Sequence, residues 1–567
     1  MRFFLPRILF LMVLSGVVAC STFAQDPGAN PSTTAPQQRT PSSPQSQPPN
    51  GGTAAGPQGA GPQGAGTQAA GTQATRDQNG TFTIQRTARL VVLDMVVTDA
   101  KGNVVRDLKR DDFHVTELDQ PQTILNFEEA GAHTLSPDIT IDSTADLDRL
   151  APRAPVNIIL LDEFNTHFED MAFARYSLKK YLEREPGKLS MPTMLIAVSL
   201  QQFTVLRDYT QNKDEILSAL DHHFVSYPWQ AQNGGWISER YATAFLTLRR
   251  VAEAVVGHPG HKNMIWIGRG FPAIFHTSVP VDTEKRISNV VQECVNQLRD
   301  ARVTLYTIDP AGLQVDTHEY GEAAAFNDPF GGNYQFAKLA KATGGGAMYG
   351  RNDVDAQIGT AIRDGSSFYT LTYRPATPPT DWGKFYRIKV TVDRPGLTVT
   401  TREGYYLPYG PGRVDPKAPS RRLVSDLLSA DSSTMVYDAV PVTLAPSTTD
   451  PDSYTVHVDG RALGWTAATD TEPRHTEIVL VVTTFDKKNK ELKSDAKSIK
   501  ASAPSSVPPT GRLIRNLDIA YKIDHNPKAV RARFVVRVTS TGRIGTADAV
   551  LGQQAAAAPA TPAAPTQ

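Results

Sequence analysis

At 567 residues the chain can build several hydrophobic cores, and its 58 basic and 58 acidic side chains cancel. That balance argues against a nucleic-acid partner, or an anionic membrane held by bulk electrostatics. The only two cysteines are Cys20 and Cys294, and the first falls in a leader, so no disulfide framework is available.

Residues 1–25 read as a signal peptide. Arg2 and Arg7 precede an apolar core, residues 8–18, that is too short for an ordinary membrane span. Two exits compete. Val17-Val18-Ala19-Cys20 has the form of a lipobox, which would leave Cys20 lipidated; Thr22-Phe23-Ala24 has the form of an ordinary signal-peptidase site. Either implies export to the periplasm, the outer membrane or the exterior. Membrane contact is then expected only through a lipid on Cys20. Residues 26–80 are rich in Pro, Gln and Gly and nearly lack large apolar side chains. They read as a disordered spacer, spanning roughly 40 Å on average. Residues 553–567 read as a similar tail.

Residues 81–130 form an N-terminal β unit by their alternation and polar turns, as in Leu90-Val91-Val92-Leu93 and Phe113-His114-Val115. A polar linker, residues 130–155, follows. From 155 to 365 strands and helices alternate, which predicts a doubly wound α/β sheet with helices on both faces. Its clearest strand is Val156-Asn157-Ile158-Ile159-Leu160-Leu161, a run apolar enough to be buried on both faces, ending at Asp162. Met264-Ile265-Trp266-Ile267 is a second buried strand, and Asn212 is placed to cap a helix. Residues 366–410 are β again and are expected to pair with 81–130. Residues 420–552 begin with a short helix and continue as an immunoglobulin-like β sandwich.

The run ending at Asp162, with its polar loop, resembles the first strand and metal loop of a von Willebrand factor A domain. The wider order of pieces resembles the exported VWFA-related proteins abundant in Acidobacteria. The matching pieces include Leu108-Lys109-Arg110-Asp111-Asp112-Phe113, Lys262-Asn263-Met264-Ile265-Trp266-Ile267-Gly268-Arg269-Gly270 and Arg402-Glu403-Gly404-Tyr405-Tyr406. The resemblance implies a protein-binding, adhesion-type chain without enzymatic activity, whose protein partner the sequence does not name. A metal-independent scaffold of the cell envelope is the alternative.

The resemblance also implies a Mg²⁺ site of hard oxygen ligands. Carried over, Asp162 matches its first carboxylate and Thr166 its second hydroxyl. Asn165 stands in for a missing Ser, and Ser238 matches the hydroxyl from a second loop. Phe164 occupies the first Ser position, and Gly268-Arg269-Gly270 lacks the late carboxylate. A guanidinium about 5 Å from a divalent ion would cost roughly 6 kcal/mol at an effective dielectric near 20. The site therefore reads as degenerate.

Other constellations are bland. His222-His223 read as surface histidines, since neighbours on a helix diverge. Gly344-Gly345-Gly346 lacks the Lys-Ser/Thr of a phosphate loop and reads as a turn. Asp353 and Asp355 read as dipole partners at a helix start. No Gly-x-Ser-x-Gly elbow or His-Glu-x-x-His occurs. The aromatic loop 225–236 reads as a contact surface or as packing on its own scaffold.

Overall fold

The run expected as a buried strand is Val156–Asp162 (β1), and all seven of its residues are buried. The computed structural model describes residues 73–76, 82–85 and 90–551, apart from 201, 226–233, 272–273, 276–279, 313–329, 331–332, 377–380, 382, 408–417, 467–472 and 504–515. After β1 come Phe168–Arg184 (α1), Lys188–Val198 (β2), Phe203–Asn212 (β3), Lys213–His222 (α2) and Gly234–Val255 (α3). Then follow Lys262–Ile267 (β4), Val281–Asp300 (α4), Val303–Ile308 (β5), Phe336–Ala342 (α5), Ala347–Met348 (β6) and Val354–Ser366 (α6). The six strands form one sheet in the order β6-β5-β4-β1-β2-β3. Every pairing is parallel except β2 with β3.

Strand geometry explains why these runs are apolar throughout. Successive side chains point to opposite faces, so Val156, Ile158 and Leu160 enter one core while Ile159 and Leu161 enter the other. Met264 and Trp266 divide from Ile265 and Ile267 in the same way. Helices α3, α4 and α5 cover the first face, and α1, α2 and α6 the second. Each fully buried aliphatic side chain contributes roughly 1.5–3 kcal/mol of transfer free energy. The triple-glycine turn after α5 lies directly on β5. A Cβ at Gly345 would sit 1.9 Å from the Leu305 carbonyl oxygen.

Two β sandwiches flank this domain. In the first, Thr398–Thr401, Val91–Thr98, Tyr369–Tyr373 and Ile124–Glu128 make one sheet. Gly404–Tyr406, Phe385–Val392, Phe113–Glu117 and Gln120–Gln122 make the other. The α/β domain is thus inserted between two halves that pair with each other. In the second sandwich, Val442–Pro446, Ser453–Val458 and Leu517–Lys522 face Glu491–Ala503, Arg474–Phe485, Arg531–Val538 and Ile544–Val550. The four-stranded sheet is covered on both faces. Val479, Val481, Val535 and Ile544 leave the sandwich core and join Ala430, Met435 and Tyr437 in the core of the α/β domain.

Three local differences from the sequence reading have simple causes. The stretch 130–155, read as a linker, carries a helix, Thr144–Leu150. Ser143 caps it by accepting the Asp146 N–H at 3.1 Å, and Leu147 is its single apolar anchor in the large core. One anchor leaves no periodicity to detect. At the end of the stretch read as spacer, Gln73–Arg76 pairs antiparallel with Phe82–Gln85. Asp355 forms ion pairs with Lys180 and Arg184 of α1, so it ties two helices together rather than only facing a helix dipole.

Candidate functional site

In open α/β sheets ligands bind beyond the carboxyl ends of the strands, where the loops diverge. Here the loops after β1 and β4 meet at that edge. Asp162 ends β1 and is fully buried. Its Oδ1 accepts the Asn165 backbone N–H at 2.9 Å. Its Oδ2 accepts the Trp266 indole N–H at 3.0 Å and the Gly270 N–H at 2.8 Å. The Thr166 hydroxyl oxygen accepts the Arg269 N–H at 3.4 Å, and the Asn165 side-chain amide donates to the Gly270 carbonyl. Burial pushes the Asp162 carboxyl up to about 7, against the pull of the Trp266, Asn165 and Gly270 donors.

The loop after β4 can lie this close because it begins with a glycine. A Cβ on Gly268, whose φ is +144°, would stand 2.3 Å from the Asp162 Cβ and 2.6 Å from the Thr166 hydroxyl oxygen. Beneath the loop is an aromatic floor. Phe164 is buried and meets Trp266 edge-on, with centroids 6.1 Å apart; Trp266 in turn meets Phe336 at 4.9 Å. Phe164, read as a lost ligand position, is a core side chain.

Charge at this edge is shared out among fixed pairs. The Arg269 guanidinium points to Asp170, at 3.4 Å, and lies 3.7 Å from Asp309. Asp309 also accepts the Ala311 N–H at 3.0 Å, so it serves its own turn. Glu163 is buried and accepts a hydrogen bond from His223 Nε2 at 2.7 Å. His223 is therefore not the surface histidine its sequence context suggests. Arg175 fixes the backbone there by donating to the Leu220 and His223 carbonyls. Arg240 is buried on α3 and feels the Asp162 carboxylate; burial pushes its guanidinium down while Asp162 opposes that shift.

The structure thus brings Asp162, Asn165 and Thr166 together with the Gly268–Gly270 loop. Ser238 lies in α3, but its side chain is outside the described residues. The loop 226–233 is outside them as well. The donor set does not suit a divalent ion. N–H groups occupy both Asp162 oxygens and the Thr166 hydroxyl. Among the described residues no cluster of three His, Cys, Asp or Glu side chains could hold a metal. A cation bound by Asp162 would have to displace backbone amides and an indole that already donate to its carboxylate. Sequence reading missed Trp266 as the partner of Asp162. The signal was present: a buried indole N–H needs an acceptor, and Asp162 ends the neighbouring strand.

No protein-family model matches the chain, and no curated protein matches it. Among solved structures, it is similar to the pilus adhesin SpaC from Lactobacillus rhamnosus GG. The identity is 9%, the TM-score 0.24, and the match takes in 80% of this chain. The chain spans 65% of the adhesin's length.

Proposed function

We propose that the chain is an exported, non-enzymatic protein-binding protein of adhesion type. Its α/β domain is read as von Willebrand A-like, with a degenerate metal site, and meets its partner at the carboxyl edge of the sheet without a divalent ion. The observation that carries this reading is the self-satisfied Asp162 cluster at the edge where ligands of such sheets bind. Exposed aromatics beside it add support. Phe168 opens α1 at 54% exposure, and Phe224, next to His223, is 82% exposed.

Cross-linking in envelope fractions tests it. Wild type is expected to capture the same protein with or without a chelator. A Phe168→Asp/Phe224→Asp variant is expected to capture about tenfold less, since surface changes of this kind leave stability nearly unaltered. Capture abolished by chelator, or unchanged in the double variant, would overturn the reading. The second outcome would favour a metal-independent envelope scaffold. The core shared by the α/β domain and the second sandwich is the observation on that side.

A further inference from the structure

The amino ends of the parallel strands, opposite the candidate site, hold a buried polar seam. Asp94, in Val91–Thr98 of the first sandwich, is its hub. Its Oδ2 accepts from His261 Nδ1 at 3.0 Å and from Arg302 Nε at 3.1 Å. Its Oδ1 accepts from the Thr370 hydroxyl at 2.8 Å and from Arg302 Nη2 at 2.5 Å. His261 immediately precedes β4 and Arg302 immediately precedes β5. Phe368 lies between two imidazoles, with ring centroids 4.5 Å from His133 and 4.4 Å from His261. His133 Nε2 lies 3.3 Å from the Thr370 hydroxyl and 3.6 Å from Glu128.

We propose that this seam is an acid-released joint: proton uptake by His261 and His133 loosens the first sandwich from the α/β domain while the second sandwich stays attached.

The groups facing these imidazoles already include too many cations. Arg302 is bonded to Asp94, and Arg402, also buried, feels the same carboxylate. Lys262 stands next to His261 and donates to the Ala301 carbonyl at 2.7 Å. The anions are Asp94 and Glu128. Two imidazoliums would therefore join Arg302, Arg402 and, below about pH 7 where burial lets it charge, Lys262, around the carboxylates of Asp94 and Glu128 inside a low-dielectric interface. The pKa directions agree. Burial alone would raise the Asp94 carboxyl, but Arg302 and His261 hold it well below the usual range. Burial pushes His261 and His133 down, against the pull of the nearby carboxylates. A depressed histidine stabilises the fold above its unfolded value, about 6.5, and that stability is lost as pH falls toward the folded value. The depressed Asp94 carboxyl has the same sign but acts only below about pH 4, so the histidines alone carry the response above that.

The second sandwich responds oppositely. Asp438 accepts the Gly257 N–H at 3.0 Å, and burial together with Asp148 pushes its carboxyl up to about 7. A raised carboxyl gives its full stability in acid and loses it as pH rises through about 7. The His258 imidazole in the same turn, pushed down to about 4 by burial and Lys262, works against this from about pH 6.5 down to about pH 4, so the two largely offset each other at about pH 5.

Hydrogen exchange of the full chain, corrected for the chemical rate, tests the joint. Between about pH 8 and about pH 5, exchange in Val91–Thr98 is expected to quicken by about tenfold. Arg474–Phe485, in the second sandwich, is expected to hold. His261→Asn keeps a donor for Asp94 and removes the titration, and His133→Gln is the milder companion; each is expected to blunt the response. Equal exchange at both pH values, both strands loosening together, or a full response in both variants would overturn the proposal. The joint does not depend on what binds the carboxyl edge.

Discussion

Asp162→Ala is expected to lower stability by roughly 3–5 kcal/mol at about pH 5, with the loss shrinking as pH rises. The substitution strands three buried N–H donors, from Asn165, Trp266 and Gly270. It also removes a group whose carboxyl is pushed up to about 7. A raised carboxyl binds a proton in the fold that the unfolded chain has released. Its contribution is full below about pH 4 and is lost as pH rises through about 7. From about pH 5 to about pH 8 roughly two pKa units are lost, about 3 kcal/mol, so the gap between wild type and variant should narrow by about that much. Urea unfolding at several pH values reads the difference directly. A penalty that grows with pH would mean that Asp162 is held as an anion by a cation stronger than those described.

Asp426→Ala is expected to cost a similar amount by a different route, and to change how the molecule comes apart. Asp426 is 1% exposed on the helix Ala418–Asp431, between the α/β domain and the second sandwich. It takes Arg249 of α3 at 2.7 Å and Arg537 of the sandwich at 2.9 Å. Removing the shared carboxylate leaves Arg537 buried without that counterion, a loss of roughly 3–5 kcal/mol when one partner of a buried pair goes. Arg533 still ties the sandwich to that helix by donating to the Ala430 carbonyl at 2.9 Å, with Asp548 of its own sheet as counterion at 2.6 Å. The variant should therefore fold. Calorimetry should show the second sandwich melting ahead of the α/β domain. An unchanged single transition would mean that the apolar contacts of Val481, Val535 and Tyr437 hold the interface alone.

What the sequence made legible follows from range. Runs such as Ile158–Leu161 and Met264–Ile267 announce buried strands because both faces need apolar side chains. The Asn212 cap is a local signal, and the structure has Asn212 accepting the Asp214 N–H at 3.0 Å. Asp162 could be found as the end of a run. Its partners could not, because they are set by which strands become neighbours. Trp266 and Gly270 are 104 and 108 residues away from it in sequence. The Glu163–His223 pair spans 60 residues and depends on how α2 ends beside the β1 loop. Adjacency of His222 and His223 on a helix misplaced only His223, because α2 stops between them; His222 is exposed as read. The Asp94 seam joins six separated segments, around residues 94, 128–133, 261, 302, 368–370 and 402, and has no sequence signature.

Asp162 is satisfied by the protein's own N–H groups, from Asn165, Trp266 and Gly270. The most direct test is calorimetric titration of the full chain with Mg²⁺, Mn²⁺ and Ca²⁺, run beside Asp162→Asn. No saturable heat is expected from any of the three ions, and the urea midpoint should be the same in metal as in chelator. A saturable heat that disappears in Asp162→Asn, or a midpoint raised by metal in wild type alone, would contradict it.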